Sequence, residues 1–231
     1  LKADIAGALA QELPKRVLRA PPSDDAQLMF FVPAIYDAPI KDDVNLMDVA
    51  PFALGKNART GVITYELKDC LITVEGGAEV GLATVFDYDI FLNMVSYLAE
   101  EVRRFRSDEA KGLRPSLPPK VYRPSAAHLL KFSRRASGGR QYQEVESALR
   151  RLAKTSITIT NLSGGKRRQV DTRPLIAEFR VISTTSTGKV DEIEISIPDW
   201  VYLSVVRADK VLPLLTLNPD YFLISSGLGR F

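Results

Sequence analysis

The chain has one cysteine, one histidine and one tryptophan among its 231 residues, and these shortages exclude whole classes of chemistry. A single cysteine, Cys70, rules out an internal disulfide and fits a reducing compartment. It lies in the strand-like run Val62 to Val74, where a buried structural thiol is the expected role. With one His (His128) and that one Cys, neither a zinc cluster nor a Cys–His pair is assembled. His128 reads as a surface or packing residue. No Gly-x-Gly-x-x-Gly occurs, and Gly164-Gly165-Lys166 lacks the spacing and the Ser/Thr of a phosphate loop. Asp37, Asp42, Asp43 and Asp48 could hold Mg²⁺ in a nickase-like site, but Asp is common in turns and caps for local hydrogen-bonding reasons, and that role is favoured. The expectation is a protein that is not an enzyme and needs no cofactor or metal. No apolar run approaches the ~20 residues that span a bilayer. Ile5 to Ala10 is too short for a signal peptide and follows Asp4. A soluble, cytoplasmic protein is expected. The chain begins at Leu and stops after Gly229-Arg230-Phe231, so it reads as a piece of a longer protein.

What is present is positive charge in one place. The formal net charge is only +3, yet residues 120–173 hold 13 Lys/Arg against Glu144, Glu146 and Asp171, a local +10. The remainder, with 18 basic and 25 acidic residues, is −7. Folding does not require that asymmetry; a surface meeting a polyanion does. Few aromatics interleave with the charge, and Tyr142 reads as core, which favours duplex over single-stranded nucleic acid.

The pattern along the chain divides it into an N-terminal arm (1–27), a hairpin-bearing subdomain packed on the core (28–78), a DNA-binding domain (79–208) and a connection (209–231). The arm ends in Pro21-Pro22-Ser23-Asp24-Asp25, a mobile composition. Val62–Leu67 and Leu71–Val74 flank Lys68-Asp69 as a hairpin, closed by Gly76-Gly77. Phe91, Met94, Val95, Leu98, Val102 and Phe105 predict a helix over about 88–106, with Asp87 and Asp89 at its positive end. Ser107–Lys120 is then a proline-rich surface connection.

Ser125 caps a short helix running to about Arg135, with Leu129, Leu130 and Phe132 inward. Ser137-Gly138-Gly139 breaks it, and a second helix follows from about Arg140 to Lys154. Tyr142, Val145, Ala148, Leu149 and Leu152 form its buried stripe; Arg140, Gln143, Ser147, Arg150, Arg151 and Lys154 face outward. Ile157 and Ile159 alternate with threonines as a half-buried strand, and Leu162–Arg168 is a basic loop. Strands at about 175–184 and 190–197, a helix after Asp199 and a turn at Asn218-Pro219-Asp220 complete the reading.

Helix, glycine turn, helix, strand, basic loop, strand is the order of a winged helix, an α+β fold with an antiparallel β wing. Its second helix enters the major groove, which is wide enough for one helix. The candidate base-contacting residues are Arg140, Gln141, Gln143, Ser147 and Arg151. The candidate phosphate-contacting residues are Arg123, Ser125, Lys131, Arg134, Arg135, Arg150, Lys154, Lys166, Arg167 and Arg168; such contacts position a protein without reading sequence. The residues alone lead as far as a winged helix that binds duplex DNA.

Several stretches resemble the plasmid replication initiator protein A family of proteobacteria. They are Phe30-Phe31-Val32-Pro33-Ala34-Ile35-Tyr36-Asp37 with Lys41-Asp42-Asp43, Ala83-Thr84-Val85-Phe86-Asp87-Tyr88-Asp89, Leu130-Lys131-Phe132 with Arg134-Arg135, and Gly138-Gly139-Arg140-Gln141-Tyr142. Gly188-Lys189-Val190, Ile197-Pro198-Asp199-Trp200, Asn218–Ile224 and Gly229-Arg230-Phe231 continue it, so that about residues 28–231 are covered. The resemblance implies the first of two tandem winged-helix domains, with the second beginning where this chain stops. It further implies binding to iterons at a plasmid origin, strand opening nearby, contact with the host replication initiator and replicative helicase, and a monomer–dimer balance that regulates initiation. Two other classes fit the residues: a winged-helix repressor dimer on a palindromic operator, and a winged-helix dimerisation module with little DNA binding of its own.

Overall fold

The apolar spacing of Phe91, Met94, Val95, Leu98 and Val102 forms a central helix, α1 (Tyr88–Ala110), around which the other elements are arranged. The computed structural model describes residues 30–33, 52–55, 59–66, 70–133, 139–161, 169–183, 190–206 and 214–217, with residues 224 and 226. Among them the elements run β1 (Phe30–Pro33), β2 (Val62–Glu66), β3 (Cys70–Glu75), α1, β4 (Val121–Tyr122), α2 (Ala126–Phe132), α3 (Gly139–Lys154), β5 (Ser156–Asn161), β6 (Gln169–Pro174), β7 (Glu178–Ser183), β8 (Val190–Ser196), α4 (Asp199–Val206) and β9 (Leu214–Leu217). The architecture is mixed α/β with four helices among the described residues and strand pairing that is antiparallel throughout the named sheets. The arm 1–27, Lys68-Asp69, Ser137-Gly138, the loop 162–168, Gly188-Lys189 and Asn218-Pro219-Asp220 lie outside the described residues.

Residues 88–95 of α1 are all buried, whichever way they face, as expected of a helix running through the middle of a fold. From Glu100 onward its outer face reaches solvent. There Glu100 pairs with Arg103 at 2.8 Å and Glu101 with Arg104 at 3.0 Å. The helix runs four residues past the expected Arg106, and the reason is local. Gly112, at φ +81°, donates to Glu109 O (2.9 Å) while the Leu113 N–H reaches Asp108 O (3.0 Å), a Schellman closure that only a residue tolerant of positive φ supplies cheaply.

The described strands form three sheets. The largest has the strand order β2-β3-β5-β6, the second β4-β8-β7, and β1 pairs with β9. The 62–75 hairpin is therefore no separate layer: β3 pairs directly with β5, the strand that follows α3. In that register Ile72 faces Ile159 and Val74 faces Ile157, and all four are buried on the helix side. The opposite face carries a row of threonines, Thr64, Thr73, Thr158 and Thr172, one from each strand. Leu175 and Ile176, expected to open a strand, are instead fully buried in the crossing between sheets. The Leu175 N–H bonds to Thr155 O (3.2 Å) and the Ala177 N–H to Ser196 O (3.1 Å), so the chain leaves one sheet and joins the other within three residues.

An aromatic column closes the core beneath α4. Phe52 meets Tyr88 at 4.6 Å, Tyr88 meets Phe91 at 4.8 Å and Phe91 meets Trp200 at 6.1 Å between ring centroids. Trp200 Nε1 donates to Pro174 O at 2.8 Å, tying α4 to the end of β6.

Gly76 lies where two backbones touch: a Cβ there would stand 2.5 Å from both the Gly81 carbonyl carbon and the Leu82 nitrogen. Backbone must move to admit it. Gly76→Ala is expected to lower stability by about 1–3 kcal/mol, measured by urea unfolding with Trp200 fluorescence. An unchanged midpoint would mean that this crossing relaxes freely.

Candidate nucleic-acid interface

α2 and α3 form the paired helices at the front of this face. Ser125 caps α2, its hydroxyl accepting the His128 N–H at 3.1 Å, while Ala126, Leu129 and Leu130 are buried; Phe132 is half-buried. On α3, Val145, Ala148, Leu149 and Leu152 are buried and Tyr142 is half-buried, as the spacing predicts. Arg140, Gln143, Ser147, Arg150 and Lys154 are exposed, and Gln141 is half-buried.

The charges on this helix are arranged in pairs four residues apart. Arg140, whose side chain is 87% exposed, lies with Nε 3.3 Å from Glu144 Oε1. Arg150 donates to Glu146 Oε1 through Nη2 at 2.8 Å and Nε at 3.1 Å. Such exposed pairs contribute only about 0.3–0.5 kcal/mol each, so either arginine can exchange its carboxylate for a better acceptor. Lys131 on α2 and Lys154 on α3 are exposed and make no ion pair among the described residues.

Arg151 departs from the expected outward-facing set. Its Nε and Nη2 donate to the two carboxylate oxygens of Asp87 at 2.7 and 2.8 Å. The Asp87 side chain is 3% exposed and that of Arg151 20%. These hydrogen bonds hold the guanidinium protonated more firmly than usual, against the cost of its partial burial. Removing one member of such a pair costs on the order of 3–5 kcal/mol, far more than a surface pair. The fork proposed for a base is committed to the fold. Helical spacing could not show this, because Arg151 lies at the margin of the buried stripe and its partner is 64 residues away.

The sequence reading placed Asp87 only at the N-terminal end of the helix and gave Thr84 and Thr155 no role. Asp87 Oδ2 accepts the Thr84 N–H (2.8 Å), and the Asp87 N–H returns to Thr84 Oγ1 (3.3 Å), a reciprocal box closing the turn before α1. Thr155 is fully buried; its hydroxyl accepts the Ala83 N–H and donates to Arg151 O, each at 2.8 Å. The spacing Thr84-x-x-Asp87 was the available signal.

The remaining predicted phosphate contacts divide in two. Arg123 Nε bonds to Glu194 Oε2 at 2.9 Å, an acceptor shared with Arg180 (3.1 Å). Partial desolvation would raise the Glu194 pKa, but the bonds from both arginines outweigh it and hold it below the usual range. Arg134, Arg135, Lys166, Arg167 and Arg168 lie outside the described residues. β5 and β6 pair with Asn161 opposite Gln169, so the last three belong to the connection of that hairpin.

On α2, His128 is exposed and its Nε2 lies 3.4 Å from Asn93 Nδ2; Asn93 Oδ1 accepts from the buried Tyr122 hydroxyl. Burial pushes that phenol well above its ordinary pKa. No group of three or more metal-ligating residues occurs among the described residues, and the four acids between 37 and 48 fall outside them. No described helix is long and apolar enough to cross a membrane.

Comparison with known proteins finds one family profile, one curated relative and two solved structures. The profile of the family described as "Replication initiator protein A" matches residues 41–231. A "Putative replication protein" of Wigglesworthia glossinidia brevipalpis is 27% identical over 192 residues, 82% of this chain and 64% of that protein. Two solved structures containing domains 2 and 3 of RctB, one of them a selenomethionine derivative, align at 12% identity with TM-scores of 0.48 and 0.49. They cover 74% and 78% of this chain and 64% of each RctB chain. The chain thus spans less than two thirds of the length of the curated relative and of both RctB chains.

The geometry ranks the arginines of α3. Arg140→Ala and Arg150→Ala are expected to change unfolding free energy by less than about 0.5 kcal/mol, and Arg151→Ala to lower it by about 3 kcal/mol or more. Chemical denaturation of the three variants side by side measures this. Equal, small losses would mean that the Arg151–Asp87 pair adds nothing to the fold.

Proposed function

Because the chain belongs to the replication initiator protein A family, we propose that it binds duplex DNA at a plasmid origin as the first winged-helix domain of a replication initiator. α2 and α3 form the helix-turn-helix, and the β5–β6 hairpin forms the wing. α3 lies in the major groove of an iteron, and Lys166, Arg167 and Arg168 sit over flanking phosphates. The observation that carries this reading is the exposed α3 face. Arg140 and Gln143 are free to turn toward base edges, and a hairpin with a basic connection follows α3 without an intervening element.

Roles within the face follow from chemistry. Arg140 offers two parallel donors to guanine O6 and N7, and Gln143 pairs with adenine. Gln141 and Ser147 flank them. Lys131, Arg150 and Lys154 neutralise phosphates, together with Arg134 and Arg135. Ser125 and Arg123 have a structural role on the free protein, as cap and as partner of Glu194. The reading includes a regulatory monomer–dimer balance, contacts with the host initiator and helicase, a cytoplasmic location, and no catalytic step by this chain.

The test is fluorescence anisotropy on an iteron duplex and a scrambled duplex across a range of salt. Arg140→Ala is expected to cost about 1–3 kcal/mol on the iteron alone, relaxing specificity. Lys154→Ala should weaken both duplexes alike and reduce the log–log salt slope by about 1. Binding without preference would leave this domain gripping phosphates while sequence is read elsewhere. No binding at low salt would favour a dimerisation module.

A further inference from the structure

Among the described residues, the base-reading end of α3 carries no side-chain tether to the core as strong as the one at its other end. Its C-terminal end is fastened twice to the segment Ala83–Asp87, just before α1. One fastening is the forked ion pair from Arg151 Nε and Nη2 to both oxygens of Asp87, at 2.7 and 2.8 Å. The other is the Thr155 hydroxyl, which takes the Ala83 N–H and binds Arg151 O, both at 2.8 Å. The two points are one helical turn apart. A single hydrogen bond is a pivot; a forked pair plus a second point fixes direction. We propose that Asp87 and Arg151 are positioning residues for base reading, setting the angle at which α3 enters the groove, a role that rests on the DNA-binding reading above.

The lever arm shows why the angle matters. Arg140 lies eleven residues before Arg151, or about 16 Å along the helix axis. A tilt of about 10° at the anchored end therefore moves Arg140 by about 3 Å, while productive site geometry tolerates only about 0.5 Å. Phosphate contacts made by long, flexible lysines follow such a shift; a forked arginine–guanine contact does not. The carboxylate fits the task because its other demands are already met. Asp87 Oδ2 holds the Thr84 N–H at 2.8 Å, and the Asp87 backbone lies in the turn that starts α1, the most deeply buried of the described helices. The angle of α3 is thereby referred to the centre of the fold rather than to a surface loop.

Two variants separate positioning from mere stability. Arg151→Lys keeps both charges and loses the fork. Asp87→Asn with Arg151→Gln removes both charges together, so neither is left buried and unpaired, and the asparagine still accepts the Thr84 N–H. Circular dichroism and the urea midpoint establish folding, and anisotropy gives the ratio of iteron to scrambled affinity with its salt slope. The expected result is at least a tenfold fall in that ratio for both, with scrambled-duplex affinity within threefold of the parent and an unchanged slope. If the double variant does not fold, Arg151→Lys alone reads the same ratio. A folded variant that keeps the parental ratio within twofold, or that loses both affinities equally, overturns the positioning role. A parent chain showing no preference between the duplexes overturns the underlying DNA reading, and is told apart because the failure then precedes any substitution.

Discussion

A carboxylate buried in a fold is tolerable only when hydrogen-bond donors replace the water it loses, and Asp87 has three. One guanidinium fork and one backbone N–H take up the acid, and its own N–H is held by Thr84. Breaking that set leaves a desolvated charge, at a cost comparable to a large part of a domain's net stability. Much of the architecture is arranged about it. The turn 84–87 starts α1, α1 is the helix against which the aromatic column packs, and Arg151 and Thr155 end α3 where β5 begins. One interaction thus fixes the relation of the central helix, the exposed helix and the first strand of the β5–β6 hairpin.

The same logic of magnitudes divides the basic residues of the +10 stretch into two kinds. Of its described basic residues, Lys120 pairs with Asp199, Arg123 with Glu194, Arg140 with Glu144, Arg150 with Glu146 and Arg151 with Asp87. These pairs are not equivalent. The ones on α3 within a single face are exposed, cheap to open and screened by salt, whereas the Arg151 pair is sheltered and costly. Exposed pairs of this kind open at little cost, as the proposed exchange of partners on DNA requires. Folding therefore sorts arginines of identical chemistry into scaffold and surface by burial alone.

Helical periodicity made α3 legible almost residue by residue, because Val145, Ala148, Leu149 and Leu152 occupy one face and the polar residues the other. Ser125 was legible as a cap for the same local reason. What periodicity could not show was anything set by distant partners. Arg151 lies at the edge of the stripe, where 3.6-residue spacing assigns no side, and Asp87 decided its direction. The end of α1 was set by Gly112 rather than by the last apolar residue. The hairpin of residues 62–75 was visible as a hairpin, but its pairing with β5 is a contact over some 80 residues that no local pattern encodes. Leu175 and Ile176 read as strand because a buried crossing between sheets and a buried strand share one composition.

That long-range pairing bears directly on the proposed wing. An isolated two-stranded hairpin is marginal in water, and a wing of β5 and β6 alone would hold its basic connection loosely. Here β5 is an inner strand, held on one side by β6 and on the other by β3, with Ile72, Val74, Ile157 and Ile159 buried as a block between the sheet and the helices. The register carries a further consequence. Glu66 lies opposite Leu71, Cys70 opposite Asn161, and Asn161 opposite Gln169, so the β2–β3 connection, with Lys68, leaves the sheet at the same end as the connection carrying Lys166, Arg167 and Arg168. Six residues of β5, about 20 Å of strand, separate that end from the anchored end of α3. β5 therefore joins the two parts of the proposed interface: the ion-paired end of α3 lies just before its start, and the connection carrying Lys166, Arg167 and Arg168 follows its end.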